Sequence, residues 1–371
     1  MKKSIFLAFL LLLGAYASVF SQTLTSAGNQ PIPGINKERV SKINSMLDEA
    51  ISKEQVPGLV AMIVKDGKII YHEAKGFADV ESKKAMEKNS IFRIASQTKA
   101  ITSTAIMILW EEGKLRLDDP ISKYIPEFKN PQVLNTFRYA DTTYTTKPSS
   151  REITIRHLLT HTSGLGYGVI DGDERMKMIY HKAGVTDLFT TEKITIGESV
   201  KRLAKLPLHH EPGAKFTYSE GLDVLGYLVE VISGKPFDVF LKERIFDPLG
   251  MKDTYFYLPA DKKQRLVSLY SHKEGKLKMM EPTYTLTGTF YRDFPNMDFK
   301  MFSGGGGLSS TIMDYGIFLQ MMLNGGEYNG VRILSRNSVR MMTQNQIGEI
   351  SNGNDKFGLG FGIITAAGSG K

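Results

Sequence analysis

The chain has 371 residues, of which 42% are hydrophobic, and its 47 lysines and arginines outnumber 39 acidic residues to give a formal net charge of +8. A chain of this length can bury more than one hydrophobic core. It contains no cysteine, which excludes disulfide pairing and thiol catalysis. The basic residues form no dense run interleaved with aromatic side chains, so the charge indicates a solvated surface rather than a nucleic-acid site.

Residues 1–21 have the pattern of a secretory signal peptide. Two lysines precede an apolar run from Ile5 to Leu13, and small residues favour cleavage after Ala17 or Ser21. The run is too short to span a bilayer, and no later stretch approaches the roughly 20 apolar residues of a membrane helix. We therefore expect a periplasmic or secreted protein without stable membrane insertion.

Hydrophobic periodicity predicts a helix, a hairpin and a second helix in the first third of the chain. Apolar residues at helical spacing indicate a helix from about Asn36 to Lys53. Two strand-like runs, Leu59 to Val64 and Lys68 to His72, flank Asp66-Gly67, which favours a tight turn. A largely apolar helix is predicted from Ser96 to Trp110.

The second half of the chain is predicted to contain further helices and a small hairpin. Helical patterns run from Leu222 to Ile232 and from Thr311 to Leu323, the latter after the glycine run Gly304 to Gly307. Tyr328 to Leu334 is predicted to form a hairpin, and Phe357 to Ile364 a single strand.

This order of elements predicts an α/β lobe interrupted by a helical insertion. Residues 36–112 and 301–371 would form a discontinuous α/β domain, and residues 113–300 an inserted, mostly helical domain. The strand predicted close to the last residue indicates a central sheet that is incomplete at the C-terminus.

Ser96 and Lys99 are the strongest candidates for catalysis. Residues three apart lie on one face of a helix, so the Lys99 amine can reach the Ser96 hydroxyl. A serine becomes a good nucleophile when a neighbouring base removes its proton. The apolar residues on both sides predict that Ser96 lies at a buried helix N-terminus, where backbone N–H groups favour a developing anion. No other S-x-x-K and no G-x-S-x-G elbow occurs in the chain.

From about Asn36 to the last residue, the chain resembles the serine β-lactamase-related hydrolases. These include class C β-lactamases, penicillin-binding DD-peptidases and family VIII carboxylesterases. Beyond Ser96-x-x-Lys99, the resemblance is carried by four further matches in the family's order: His157 to Leu165, Pro212-Gly213 before Tyr218-Ser219, Phe246 to Met251, and Gly305 to Leu308.

The resemblance implies a fold and a set of roles. The fold is α/β (α+β) of the β-lactamase/transpeptidase type, with an antiparallel sheet flanked by helices. Ser96 would be the acylated nucleophile, Lys99 its base partner, and Tyr218 the tyrosine that relays protons to the leaving group. Gly305, Gly306 and Glu220 are candidate substrate-binding residues, and no metal or organic cofactor is required.

Glu220 is a departure from the family pattern. Penicillin-recognising relatives usually have asparagine two residues after the catalytic tyrosine, whereas an ionised Glu220 only accepts hydrogen bonds and would repel an anionic β-lactam. The pattern from Tyr218 to Gly226 is more similar to family VIII esterases. It is also compatible with Glu220 capping the following helix.

A second departure is that the family's third motif, Lys-Thr-Gly or a His/Trp-Gly-Gly counterpart, is not found. In the family this motif supplies an oxyanion-hole N–H, and loss of one such donor costs about 2.7–4 kcal/mol. We expect full activity to need sequence beyond Lys371. If the motif were truly absent, a catalytically silent binding protein would be the alternative.

His157 and His161 have a spacing that can bind metal on a helix, but the glutamate of H-E-x-x-H is missing. The resemblance accounts for both, and no metal site is predicted. The sequence thus favours an exported serine hydrolase acting on small esters. A β-lactamase or DD-peptidase acting on peptidoglycan-like amides is the enzymatic alternative.

Overall fold

The structure is a computed structural model that describes residues 23–28, 32–168, 170–186, 190, 192–285 and 289–369. The predicted signal peptide lies outside the described residues. Across these ranges, no helix is both long and apolar enough to cross a membrane.

Ten α-helices are found in the described part of the chain. They are α1 Lys37–Ser52, α2 Thr98–Glu111, α3 Ile155–Leu159, α4 Glu174–Lys182, α5 Ile196–Leu203, α6 Gly221–Ser233, α7 Phe237–Leu241, α8 Asp247–Leu249, α9 Ile312–Leu323 and α10 Arg336–Met342.

The strands are short apart from two in the N-terminal hairpin. They are β1 Thr25–Ser26, β2 Gly58–Lys65, β3 Lys68–Asp79, β4 Lys84–Ala85, β5 Phe92–Arg93, β6 Gln132–Arg138, β7 Thr143–Pro148, β8 Tyr270–Lys273, β9 Lys276–Met279, β10 Thr283–Thr285, β11 Thr289–Tyr291, β12 Ser309–Ser310, β13 Glu327–Tyr328, β14 Val331–Arg332, β15 Lys356–Phe357 and β16 Gly362–Ile363.

The largest sheet has the order β1-β3-β2, and β4 pairs with β3. β2 and β3 are antiparallel and pair from Gly58 opposite Gly76 to Lys65 opposite Lys68, with a shift of register between Ile63 and Val64. Asp66 and Gly67 have φ of 51° and 72°, the left-handed conformations that a type I′ turn requires. The predicted hairpin and its turn are confirmed.

Helix α2 forms the centre of the hydrophobic core. Every residue from Thr98 to Leu109 is buried, including Lys99, so this stretch of the helix is enclosed by protein on all sides. It packs against α6, and one cluster of buried side chains joins α2 to α6, α9 and residues near the end of the chain. This packing fixes the start of α2, which follows Ser96 by two residues.

The pairing of β5 with β12 brings the glycine run beside Ser96. Arg93 lies opposite Ser309, and the Ile94 N–H donates to the Leu308 carbonyl at 3.0 Å. Gly304 to Gly307 therefore lie next to the turn that precedes α2, although about 200 residues of sequence separate them.

Two regions differ from the sequence prediction. The single strand predicted from Phe357 to Ile364 is wrong, because the chain reverses there and β15 pairs with β16. Gly360 has φ of 82°, and the Gly358 N–H donates to the Phe361 carbonyl at 2.7 Å. Between residues 113 and 300, the hairpins β6–β7, β8–β9 and β10–β11 accompany the helices. β7 is fully exposed and β8 mostly so, which leaves these two strands little hydrophobic signal.

Candidate active site

Ser96 lies in a 3₁₀ turn, Ala95–Gln97, that leads directly into α2. Ala95 has φ of 44°, an uncommon conformation for a residue with a Cβ and one that is often found at functional sites. Ser96 is exposed, whereas Lys99, one turn later, is only 5% exposed. The prediction of a buried position for Ser96 is therefore wrong: the core begins at Thr98, and the hydroxyl faces solvent.

Lys99 is held by three hydrogen bonds. Its Nζ donates to the Gly305 carbonyl at 2.6 Å, to the Tyr167 hydroxyl at 3.1 Å and to Ser96 Oγ at 3.3 Å. The Nζ also lies 4.6 Å from the centroid of the Tyr218 ring. The amine predicted to face Ser96 is thus fixed in place by the surrounding protein.

Tyr218 reaches Ser96 from the loop that precedes α6. Its hydroxyl donates to Ser96 Oγ at 2.6 Å, and the side chain is half-buried. The residues predicted as base and proton relay, Lys99 and Tyr218, therefore both contact the hydroxyl oxygen of the predicted nucleophile, Ser96. This constellation can remove a proton from a serine and return it to a leaving group.

Tyr167 was missed by the sequence analysis. It is 2% exposed, its hydroxyl contacts Lys99, and its ring stacks on that of Tyr218 with centroids 5.6 Å apart. It follows the His157 to Leu165 run by two residues. The available signal was an aromatic residue so soon after that run.

The glycine run provides backbone, not side chains, to the site. Gly305 and Gly306 are both buried. The hydrogen bond from Lys99 Nζ to the Gly305 carbonyl is the shortest of the three that Lys99 makes. A Cβ at Gly305 would lie 2.4 Å from Asp223 Oδ2 and 2.8 Å from the Tyr167 hydroxyl oxygen, so the position has no room for a side chain. Asp223 Oδ1 accepts from Ser303 Oγ at 2.6 Å and from the Gly305 N–H at 3.3 Å.

Glu220 is 3% exposed, and its Oε1 accepts from the Gly168 N–H at 3.3 Å. It occupies the N-cap position of α6 without a capping hydrogen bond from its side chain. The structure therefore brings Ser96, Lys99, Tyr218 and Gly305 together and turns Glu220 towards the backbone of the Tyr167 segment.

The two histidines of the family-like run have separate surroundings. His157 Nδ1 accepts from the Thr154 N–H at 3.2 Å in a capping box at the start of α3, and burial together with Arg151 lowers its pKa to about 4. His161 is fully buried beside Tyr218. No group of three or more metal-ligating side chains occurs within the ranges that the structure covers.

Comparison with known proteins gives the family. Residues 43–371 match the Beta-lactamase family. The chain belongs to this family. The match includes Ser96, Lys99, Tyr167 and Tyr218, and it confirms the relationship inferred from the sequence motifs.

Relatives within the family have been named for different activities. The chain is 36% identical to Esterase EstB of Burkholderia gladioli over 216 residues, which are 58% of this chain and 51% of EstB. It is 27% identical to a proposed D-alanyl-D-alanine carboxypeptidase of Escherichia coli (strain K12), over 98% of this chain and 81% of that protein.

Among solved structures, EstCE1, described as a hydrolase with promiscuous acyltransferase activity, matches with a TM-score of 0.75 and 28% identity. The match covers 88% of this chain and 83% of EstCE1. It confirms the predicted β-lactamase/transpeptidase-like α/β fold. The protein is thus a member of a hydrolase family whose named activities include ester hydrolysis.

Proposed function

We propose that this protein is an exported serine hydrolase of the carboxylesterase type that forms an acyl-enzyme on Ser96. One observation carries the proposal: the Tyr218 hydroxyl at 2.6 Å and the Lys99 amine at 3.3 Å both contact Ser96 Oγ. A nucleophile within hydrogen-bonding reach of a base, which is itself held by further groups, is the arrangement that covalent acyl transfer requires.

In the proposed acylation, one group of the Tyr218–Lys99 pair starts deprotonated. Ser96 Oγ attacks the carbonyl carbon of the ester, and the serine proton passes to that group. Both groups contact Ser96 Oγ, so the proton is assigned to the pair and not to one of its members. The N-terminus of α2 favours the negative charge that develops on the carbonyl oxygen. The C–O bond to the alcohol then breaks, and the pair returns the proton to the departing alkoxide.

Deacylation reverses this path with water as the nucleophile. The pair takes a proton from water, the hydroxide attacks the acyl carbon, and Ser96 leaves with the returned proton. The products are a carboxylic acid and free enzyme. Exposure of Ser96 supports this step, because water and substrate can both reach the hydroxyl.

Two observations favour esters over β-lactams and peptidoglycan amides. Glu220, where penicillin-recognising relatives have an amide, is buried against the Gly168 backbone and has no side-chain N–H donor for a substrate carbonyl. The likenesses to EstB and EstCE1 point in the same direction. We therefore propose short-chain esters as the substrate class.

The test uses a fluorophosphonate probe and two chromogenic substrates. The full chain should be labelled, Ser96→Ala should not, and the exposed control Ser351→Ala should be labelled like the wild type. The kcat/KM for p-nitrophenyl butyrate should exceed that for a chromogenic cephalosporin. Labelling of Ser96→Ala would reject the acyl-enzyme, and faster cephalosporin turnover would reject the esterase assignment.

Export rests on the sequence of residues 1–21 and has its own test. Full-length protein expressed in a Gram-negative host should be recovered from the periplasm with Ser18 or Gln22 as its first residue. Recovery from the cytoplasm with Met1 retained would contradict export without affecting the proposed chemistry.

A further inference from the structure

The fully buried residue His161 has no part in the proton transfers described above. It follows α3 by two residues and has φ of 56°, in the left-handed region. Such a conformation costs free energy for a residue with a side chain and persists where the surrounding contacts enforce it. The contacts that His161 makes therefore hold its backbone in this conformation.

Those contacts are with the residues on both sides of Tyr218. The His161 carbonyl accepts from the Thr217 N–H at 2.8 Å, and its ring Nδ1 accepts from the Ser219 N–H at 3.1 Å. The two neighbours of Tyr218 in the chain are thus bonded to one residue. The His161 ring also packs on the Tyr218 ring, with centroids 4.5 Å apart.

The hydrogen bond from Ser219 requires an unprotonated Nδ1. Burial and the nearby Lys99 lower the pKa of His161 to about 3, so the ring is neutral at ordinary pH. Its proton is then on Nε2, which has no hydrogen-bond partner among the residues that the structure describes. Phe216 and Phe357 surround the ring, with centroids 5.7 and 5.3 Å away. A nonpolar residue at position 161 would not bury an unpartnered Nε2, but it would also have no acceptor for the Ser219 N–H. The acceptor at Nδ1 is therefore what a histidine contributes at this position.

We propose that His161 is a positioning residue that holds the Tyr218 hydroxyl at Ser96 by binding the backbone on both sides of the tyrosine. This inference rests on the proposed function. Proton transfer depends steeply on geometry, and a displacement of about 1 Å can cost about 100-fold in rate. His161 acts through Tyr218 and does not touch the reacting atoms.

The experiment compares two amide variants of similar polarity. The Asn side-chain oxygen is two bonds from Cβ, as Nδ1 is, and asparagine tolerates positive φ, so His161→Asn keeps the acceptor for Ser219. In His161→Gln the amide lies one carbon further away. We expect kcat for p-nitrophenyl butyrate to fall about 10- to 100-fold in His161→Gln and less than about fivefold in His161→Asn. KM should change less than about threefold in both.

A double-mutant cycle separates positioning from a general effect on the fold. In a Tyr218→Phe background, His161→Gln should cause no further loss of kcat, because the hydroxyl it positions is gone. Equal fractional losses in both backgrounds, or wild-type kcat in both His161 variants, would overturn the inference. Thermal unfolding checks that each variant is folded. If His161→Gln does not fold, His161→Asn decides alone, and a loss greater than tenfold would count against the proposal.

Failure of this inference is distinguishable from failure of the proposed function. Ester turnover that survives Ser96→Ala would reject the proposed function itself. Turnover that is abolished in Ser96→Ala and unchanged in both His161 variants would reject only the positioning role.

Discussion

Tyr167 and Tyr218 stack on each other beside the Ser96–Lys99 turn, yet they occupy different surroundings. Tyr218 is half-buried and contacts the exposed Ser96, whereas Tyr167 is buried and contacts the buried Lys99. The nucleophile is thus open to substrate while the amine is enclosed by protein. In the proposed mechanism, Tyr218 and Lys99 transfer the proton at Ser96, and Tyr167 holds Lys99 in position.

The largest loss of activity is expected for a substitution of Lys99, which contacts both Ser96 and Tyr167. Lys99→Met removes the amine that contacts both Ser96 and Tyr167 and should lower kcat/KM for p-nitrophenyl butyrate by about 10³- to 10⁴-fold. Steady-state kinetics measure the loss, with the exposed Lys129→Met as control. A loss below tenfold would mean that Tyr218 activates the serine without the lysine.

The next largest losses of kcat are expected for substitutions of the two tyrosines. Tyr218→Phe removes the hydroxyl beside the nucleophile and should reduce kcat about 100-fold. Tyr167→Phe removes one acceptor from Lys99 and should reduce kcat about tenfold. The exposed Tyr139→Phe is the matched control. Equal losses in both active-site variants would abolish the distinction between the two tyrosines.

A substitution at Gly305 tests the buried surroundings of Lys99 and Tyr167, because the Gly305 backbone contacts Lys99. In Gly305→Ala the new Cβ would displace the Tyr167 hydroxyl or the Asp223 carboxylate, so we expect a destabilisation of about 1–3 kcal/mol and a loss of activity. Gly172→Ala is the control, because a Cβ there meets no atom within 4 Å. Denaturant unfolding and ester turnover report the two effects. Wild-type behaviour of Gly305→Ala would show that these surroundings tolerate movement.

The smallest effect on activity at neutral pH is expected at His157, where the prediction is a pH dependence of stability. This residue precedes the Tyr167 segment and lies close to the Gly213 turn before Tyr218. Its pKa is about 4 when folded and about 6.5 when unfolded. Between these values the unfolded chain binds a proton that the folded chain does not. Stability therefore rises with pH and is lost on acidification through this window.

His157→Asn keeps the acceptor for Thr154 and removes the titration. The free energy of unfolding of the wild type should fall relative to this variant by up to about 1.4 kcal/mol per pH unit between pH 6.5 and 4. Urea unfolding at three pH values measures the difference. Parallel pH dependences of the two proteins would contradict the assignment.

Local patterns predicted much of the fold. The helix from about Asn36 to Lys53 is α1, with Asn36 as the N-cap that accepts from the Arg39 N–H at 3.0 Å. The hairpin predicted from Tyr328 to Leu334 is confirmed, with Asn329 and Gly330 in the left-handed region. These features depend on neighbouring residues, and their cause lies within a few positions of sequence.

The region from Phe357 to Ile364 could not be predicted in the same way. Its alternation of glycine and apolar residues fits both one strand and a tight reversal. The choice is made by distant contacts: the Leu359 N–H donates to the Met342 carbonyl, and the Gly360 N–H donates to the Leu159 carbonyl. The same reasoning applies to Glu220, whose burial against Gly168 depends on loop packing and not on its position before α6.

The sequence by itself determined that Ser96 and Lys99 share one face of a helix, because the backbone of a helical turn fixes that spacing. Only the tertiary structure decided what surrounds them. Tyr167 and Gly305 reach Lys99 from 68 and 206 residues away, and Tyr218 reaches Ser96 from 122 residues away. Those approaches depend on how loops pack around the buried helix α2, a property of the whole chain that no short segment specifies.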